Sequence, residues 1–353
     1  MLKTSNGVKR SKKRKKFVAI LAVVLAAIFV SSCIFISSIP PREPKVFGVT
    51  FSKSFAEKFG FDWKKAYEEI FNDLGIRDVR IPVYWSEVEP EKGRWNFDDI
   101  DWQLKKAREY NAKVILAIGR KLPRWPECHI PHWVRDITNS PAKGGGKSQF
   151  PKEELLGYIE KVVSKYKDNS TVWAWQVENE PFLPFGECPL LGKEILDEEI
   201  ATVKKISSKP IIVTDSGEFG IWLPAAKRAD IFGSTLYRHV YNEFFGYITY
   251  PLPSSFFRLK QGLLKLFLGQ KPIIVTELQA EPWMTKMLYE TSVEEQFAHF
   301  DTNRFKATLE YIKGTGFDTF YFWGAEWWWW LKQNGHPEMW NLAKETIQGV
   351  GAK

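Results

Sequence analysis

The chain has 353 residues, of which 26% are charged, and a formal net charge of +8. Eight of its 50 Lys and Arg residues lie within residues 1–16, which hold no acidic residue, so the remaining 42 basic residues balance 42 acidic ones. The excess charge therefore belongs to a tail, and this distribution argues against a basic face that binds nucleic acid.

An apolar stretch follows the basic tail. Residues 17–39 carry no charge, and as a helix they would span roughly 34 Å, enough for a bilayer core of about 30 Å. The basic flank predicts that residues 1–16 stay in the cytoplasm, so we expect a single-pass cell-membrane anchor with the rest of the chain outside. A cleaved secretory signal is one alternative, and a lipoprotein-type signal with Cys33 lipidated is another.

Residues 40–45 are typical of a short linker, after which strand-like and helix-like segments alternate. The apolar runs predict eight strands, at 46–51, 78–84, 113–119, 171–178, 209–215, 230–237, 271–277 and 317–323. Amphipathic segments between them predict helices, and a last helix is expected at 338–348. This alternation predicts one α/β domain over residues 46–353, a (β/α)8 TIM barrel, with a doubly wound open sheet as the alternative.

Two glutamates stand at the ends of predicted strands. Glu180, in Asn179-Glu180-Pro181, follows the fourth strand, and Glu277 ends the seventh. Because barrel enzymes keep their chemistry at the carboxyl ends of the strands, we expect both side chains at one cleft. A pair of carboxylates on either side of one bond is the minimum equipment for glycoside hydrolysis.

An ordered set of further residues resembles clan A glycoside hydrolases, the retaining (β/α)8 group. Residues 79–85, Val-Arg-Ile-Pro-Val-Tyr-Trp, look like that clan's second strand, which carries an arginine near the nucleophile. Tyr237 and Trp323 end the sixth and eighth predicted strands, where clan members have a tyrosine bonded to the nucleophile and a sugar platform. The chain looks like a cellulase of glycoside hydrolase family 5, but it lacks the histidines usual in that family.

This resemblance implies a role for each matching residue. Glu180 would be the acid/base, Glu277 the nucleophile, and Arg80 and Tyr237 would stabilise the Glu277 carboxylate, while Asn179 would bind the sugar 2-hydroxyl. Glu178 and Glu281, each close in sequence to a catalytic candidate, are interpreted as supporting or solvent-facing residues. The residues predicted to bind substrate are Arg80, Asn179, Tyr237, Trp323, Trp283 and Trp327. No metal or organic cofactor is implied, because carboxylates suffice for this chemistry.

The chain contains 16 tryptophans, four of them consecutive at 327–330 after the last predicted strand. Flat aromatic rings stack on the apolar faces of sugars, so we expect alternate members of this run, Trp327 among them, to line the cleft. A belt at a lipid interface is the alternative.

Two of the three cysteines, Cys128 and Cys188, lie in loop-like surroundings. Outside the cytoplasm a disulfide between them is expected, with two unpaired thiols as the alternative. A metal site at Cys128, His129 and His132 is disfavoured because the local spacing supplies no clear fourth ligand.

The N-terminal pattern predicts a membrane tether, and the resemblance to clan A implies a retaining glycoside hydrolase. We expect it to cleave a β-linked oligo- or polysaccharide by double displacement, with an extracytoplasmic catalytic domain that is monomeric. The alternatives are an envelope-glycan transglycosylase, which would use the same residues, and a non-catalytic glycan-binding barrel. The presence of both carboxylates argues against the binding barrel.

Overall fold

The computed structural model describes residues 39–139, 150–190 and 192–351, together with the isolated positions 20, 23, 24 and 31. Eight parallel strands close into a barrel in the order β1-β2-β3-β4-β5-β6-β9-β10. These strands are β1 (Val46–Thr50), β2 (Asp78–Pro82), β3 (Lys113–Ile118), β4 (Val172–Val177), β5 (Ile211–Asp215), β6 (Ile231–Leu236), β9 (Ile273–Gln279) and β10 (Thr319–Trp323). The predicted TIM barrel is confirmed and all eight predicted strands are present, seven with shorter bounds and one, predicted at 271–277, shifted to Ile273–Gln279.

Helices cover the outside of the barrel. Those of the described residues are α1 (Lys53–Lys58), α2 (Trp63–Asn72), α3 (Trp85–Val88), α4 (Asp98–Glu109), α5 (His132–Asn139), α6 (Lys152–Tyr166), α7 (Lys193–Ile206), α8 (Leu223–Arg228), α9 (Ser255–Leu268), α10 (Val293–His299), α11 (Thr302–Lys313), α12 (Ala325–Gln333) and α13 (Glu338–Gly351). Several begin at a side-chain cap, as where the Asp62 carboxylate accepts from the amide of Lys64 at 2.9 Å. Such a cap fixes the residue at which its helix begins.

The strands are apolar on both faces because each face is covered. Side chains on one face pack against the helices in the main core, which includes Val114, Val177 and Phe322. Side chains on the other face fill the barrel itself, where Ile115, Ala174, Ile212, Ile274 and Tyr321 form a second core. Polar residues replace this filling towards the carboxyl ends of the strands. The functional site therefore lies on top of a packed plug rather than over a pore.

A two-stranded antiparallel hairpin, β7 (His239–Asn242) and β8 (Gly246–Thr249), interrupts the alternation after β6. The strand pattern did not predict it, because its short polar and aromatic segments resemble a loop. The hairpin leaves the catalytic end of the barrel, since it starts three residues after the end of β6.

The predicted membrane segment, residues 17–39, lies almost wholly outside the described residues, as does Cys33. Within the part of the chain that the structure describes, no helix combines the length and the apolar character needed to cross a bilayer.

Candidate active site

Glu277 lies near the end of β9 and is held from two directions. Its Oε1 accepts a hydrogen bond from Arg80 Nη1 at 2.9 Å, and its Oε2 accepts one from the Tyr237 hydroxyl at 2.8 Å. The Arg80 side chain is fully buried and the Glu277 side chain is 3% exposed. A cation and a hydroxyl donor both favour an ionised carboxylate, so this glutamate is suited to act as a nucleophile.

The Arg80 guanidinium positions a second functional group. Its Nε donates to Gln176 Oε1 and its Nη2 donates to Asn179 Oδ1, both at 2.7 Å. With the oxygen of Asn179 engaged in this way, its Nδ2 is buried and has no hydrogen-bond partner among the described residues. The Nδ2 group of Asn179 is therefore free to donate a hydrogen bond to a ligand hydroxyl near Glu277.

Glu180 follows β4 on a tightly turned backbone. Its φ is 44°, in the left-handed region that is uncommon for a non-glycine residue. Its amide donates to Thr214 Oγ1 at 2.8 Å, and its Oε1 accepts from the Thr235 hydroxyl at 3.1 Å. Backbone conformations of this kind persist where the surroundings hold them, commonly at functional sites.

Glu180 and Glu277 have opposite electrostatic environments. Burial raises the pKa of Glu180 well above its ordinary value, and the nearby negative charges of Glu277 and Glu127 raise it further. No cation donates a hydrogen bond to the Glu180 carboxyl group among the described residues. Burial and nearby negative charge thus favour the protonated form of Glu180, whereas Arg80 and Tyr237 donate to the carboxylate of Glu277.

Glu178 has a structural role, because it holds the loop that follows β3. Its two carboxylate oxygens accept from the amides of Arg120 and Lys121, at 2.8 and 2.9 Å. Gly119 permits this approach, because a Cβ there would lie 2.6 Å from Glu178 Oε1. The loop after β3 is thereby fastened to the end of β4, next to Glu180.

A cavity of about 730 Å³ opens at this end of the barrel. Tyr237, Trp283 and Trp323 are part of its wall, as predicted for substrate-binding residues. Trp283 packs edge-on against Tyr237 with ring centroids 5.3 Å apart, and Tyr237 in turn reaches Glu277. Glu277 therefore adjoins the cavity through Tyr237.

Sequence reasoning missed an arginine in the same wall. Arg124 lies between the rings of Phe55 and Trp323, with its Cζ 3.7 and 3.9 Å from their centroids. It pairs with both oxygens of Glu281, and its Nη2 lies 2.9 Å from Glu326 Oε2. Glu281 is therefore a buried ion-pair partner that lines the cavity, not a solvent residue. Arg124 holds the Trp323 ring in place.

Glu127 is a third carboxylate near the catalytic pair, and it was also missed. Lys121 Nζ lies 2.7 Å from Glu127 Oε2 and donates to the carbonyl of Asn179 at 3.1 Å. Burial raises the pKa of Glu127 to about 7, while Lys121 opposes that rise. The signal that could have located it is the adjacent Cys128, because the predicted disulfide draws this loop towards the one that follows Glu180.

The disulfide between Cys128 and Cys188 is confirmed, with a Cα–Cα distance of 4.8 Å. It joins the loop after β3 to the loop after β4. The amide of Glu187 adds a hydrogen bond to the carbonyl of Pro126 at 2.9 Å. Glu127 is thus held beside the acid/base candidate by covalent and polar contacts together.

The prediction for Trp327 is wrong. Its side chain is fully buried, its Nε1 donates to Gln296 Oε1 at 2.6 Å, and it is not part of the cavity wall. The four tryptophans lie within helix α12, which begins at Ala325. Successive side chains of a helix point about 100° apart, so the four rings cannot all face one cleft. Trp327, Trp328 and Trp329 are buried, which also excludes a lipid-facing belt.

Part of the chain is similar to known glycosidases. The beta-galactosidase family model Glyco_hydro_42 matches residues 61–188, which include Arg80 and Glu180 but stop before Glu277. Beta-galactosidase LacA of Lactobacillus acidophilus is 26% identical over 127 residues, 33% of this chain and 19% of that protein. A probable mannan endo-1,4-beta-mannosidase A of Aspergillus flavus is 23% identical over 162 residues, 43% of this chain and 39% of that protein.

The fold is also found in solved structures. A beta-galactosidase from Bacillus circulans sp. alkalophilus shares it with a TM-score of 0.58 at 14% identity, over 89% of this chain and 57% of that one. The chain spans only about a fifth of the length of the lactobacillus relative. The partial family match and these relatives make the chain similar to clan A glycoside hydrolases, and the solved structure shows that the (β/α)8 barrel fold is shared.

Proposed function

We propose that the chain is a retaining β-glycoside hydrolase in which Glu277 is the nucleophile and Glu180 the acid/base. The observation that carries this proposal is the contrast between the two carboxyl groups. Arg80 and Tyr237 bind Glu277, whereas Glu180 is buried and accepts from a neutral threonine hydroxyl.

The charge balance of the site supports the same roles. The Glu277 carboxylate pairs with Arg80, and the Glu127 carboxylate pairs with Lys121. If Glu180 holds its proton, this buried cluster of five groups is neutral. An ionised Glu180 would add an unpaired buried charge, which costs several kcal/mol.

The reaction then runs in two displacements. Glu277 attacks the anomeric carbon while Glu180 passes its proton to the departing glycosidic oxygen, which leaves a covalent glycosyl–enzyme and an ionised Glu180. Glycosylation removes the charge of Glu277, so a carboxylate at Glu180 is tolerated at this stage. Glu180 next takes a proton from a water molecule, whose oxygen attacks the anomeric carbon and releases Glu277. The Nδ2 of Asn179 is suited to donate to the sugar 2-hydroxyl during both steps.

We propose β-galactosides and β-mannosides as the substrate classes to screen first, because the relatives are named as enzymes of these two sugars. We also propose that the domain works outside the cytoplasm. The basic and apolar N-terminal sequence supports this location, as does a disulfide, which persists mainly in oxidising compartments.

Glycosyl azide formation tests the two roles separately. We expect Glu277→Ala to abolish hydrolysis of a 4-nitrophenyl β-glycoside that the wild type cleaves. Added azide should then restore turnover and yield the α-glycosyl azide, because the anion attacks in place of the carboxylate. In Glu180→Ala, azide should instead attack the glycosyl–enzyme and yield the β-glycosyl azide. The product anomers are distinguished by NMR.

Glu310→Ala is the matched control, since Glu310 lies on the exposed side of α11 in a surface pair with Lys313. It should retain wild-type rates and form no glycosyl azide. A Glu277→Ala protein that remains fully active, or azide products of the opposite anomers, would contradict the assignment.

A further inference from the structure

The β7–β8 hairpin carries aromatic side chains that the proposed reaction does not use. We propose that it is an additional glycan-binding subsite, which holds sugar units of a β-linked chain beyond the unit that reacts. This inference rests on the proposed function, and it implies that the natural substrate is a chain of several sugars.

The hairpin is fastened to the strand that carries Glu277. Gln279, the last residue of β9, accepts at Oε1 from the amides of Arg238 and His239, at 2.9 and 2.8 Å. Its Nε2 donates back to the carbonyl of His239. One side chain, two residues beyond the nucleophile, thus fixes the base of the hairpin relative to the reacting centre.

One face of the hairpin continues the cavity wall. Tyr241 and Glu243 line the same cavity as Tyr237 and Trp283. Tyr241 lies opposite Tyr247 on the partner strand, and their ring centroids are 5.2 Å apart. Tyr247 is in turn stacked on the His299 ring, 3.4 Å away. Aromatic rings therefore line the cavity at Tyr237 and Trp283 and again at Tyr241, whose ring is supported by that of Tyr247.

The tip presents two further rings to solvent. Asn242 Oδ1 accepts from the amides of Phe244 and Phe245, at 2.9 and 3.2 Å, and Gly246 completes the turn with a φ of 69°. The locally closed turn holds Phe244 at 89% and Phe245 at 77% exposure. Two adjacent exposed aromatic residues that follow Glu243, which lines the cavity, indicate a binding surface rather than scattered apolar residues.

The chemistry of the hairpin favours a sugar chain over a lipid surface. Residues 241–247 read Tyr-Asn-Glu-Phe-Phe-Gly-Tyr, with one charge, which is acidic. Surfaces that dock on anionic lipid carry Lys and Arg near their apolar residues. Aromatic faces with amide, hydroxyl and carboxylate groups at their edges match the apolar faces and hydroxyl rims of pyranose rings.

Dependence on chain length tests the proposal. The full-length protein and its Phe244→Ser/Phe245→Ser variant would be assayed on 4-nitrophenyl β-galactoside and β-mannoside, and on β-1,4-galacto- and manno-oligosaccharides of two to six units. We expect the ratio of kcat/KM for the hexamer to that for the aryl glycoside to fall roughly tenfold in the variant, as loss of one or two stacking contacts would give.

Phe267→Ser is the matched control, because Phe267 is 64% exposed on α9, and it lies neither in the hairpin nor in the cavity wall. It should leave the ratio at the wild-type value. An unchanged ratio in the double variant overturns the proposal. If that variant also loses binding to anionic phospholipid vesicles, the hairpin is a lipid-binding surface instead.

A binding measurement separates failure of this inference from failure of the proposed function. Retention of the wild type and the double variant on immobilised galactan and mannan needs no turnover. If the wild type is retained and the variant is not, the subsite stands even if no glycoside is cleaved. If the wild type cleaves glycosides but both proteins elute alike, the subsite is refuted and the enzyme assignment remains.

Discussion

Glu127 is a residue outside the proposed reacting pair that we expect to affect the pH at which this pair works. Its negative charge is one of the causes that raise the pKa of Glu180, after burial and the charge of Glu277. It also engages Lys121, whose positive charge acts on Glu180 in the opposite direction. The protonation of Glu180 depends on the charge of Glu127, so a change at Glu127 is expected to move the proton of Glu180.

Glu127→Gln should shift the alkaline limb of the kcat/KM profile to lower pH. The substitution removes a charge that raises the pKa of Glu180 and leaves Lys121 unpaired, and both changes lower that pKa. Because the first step needs protonated Glu180, activity is then lost at a lower pH than in the wild type. The measurement is the rate on a 4-nitrophenyl β-glycoside across the pH range.

Glu187→Gln is the control for this experiment, since Glu187 lies on the neighbouring loop with a half-exposed side chain. Its profile should coincide with that of the wild type. An alkaline limb that stays in place, or that moves upwards, in Glu127→Gln would show that Glu127 does not act on Glu180 as inferred.

At the scale of a single element, α12 shows that composition does not assign a function to aromatic residues. Its tryptophans look like sugar platforms in the sequence, yet the helix buries them between the barrel and neighbouring helices. Trp328 Nε1 donates to the carbonyl of Ala280 at 2.7 Å, and its ring packs on Phe305 and Phe322. Trp330 is only partly buried, at the outer edge of the core.

Trp328→Ala should therefore destabilise the fold by about 3–5 kcal/mol, the range for loss of a large aromatic side chain from a core. Trp330→Ala, the matched change in the same helix, should cost clearly less because the ring is not enclosed. Unfolding in denaturant, followed by tryptophan fluorescence and circular dichroism, compares the two. Equal losses would mean that the helix is packed differently from the structure described.

At the scale of the whole molecule, the disulfide links two loops that are far apart in sequence. It connects residues 60 positions apart, on the loops after β3 and β4. A crosslink that closes a loop of this length restricts the unfolded chain and is worth about 4 kcal/mol in the chain-entropy description.

A reductant should thus lower the melting temperature of the wild type by several degrees. The Cys128→Ser/Cys188→Ser variant should melt near the reduced wild type and show no response to the reductant. Differential scanning calorimetry with and without dithiothreitol measures both. A wild type that melts at the same temperature in either condition would contradict a stabilising role for the bond.

The pattern of apolar runs was enough to predict the barrel and the two glutamates at the ends of its strands. Strands buried on both faces are continuous apolar runs, and Glu180 and Glu277 follow such runs directly, so local pattern places them at one end of the sheet. The disulfide was also predictable from the sequence, because only cysteine side chains form this bond and two of the three cysteines lie in loop-like segments.

Only the tertiary structure revealed those contacts between distant residues that no motif or strand pattern indicates. Arg124 reaches Glu281 and Glu326 across separations of 157 and 202 residues, and no local period records such contacts. The burial of Trp327 and the position of the hairpin on the cavity rim follow from what packs against them. Hydrophobic periodicity predicts which face of a helix or strand is buried, but only the folded structure shows which residues pack against that face.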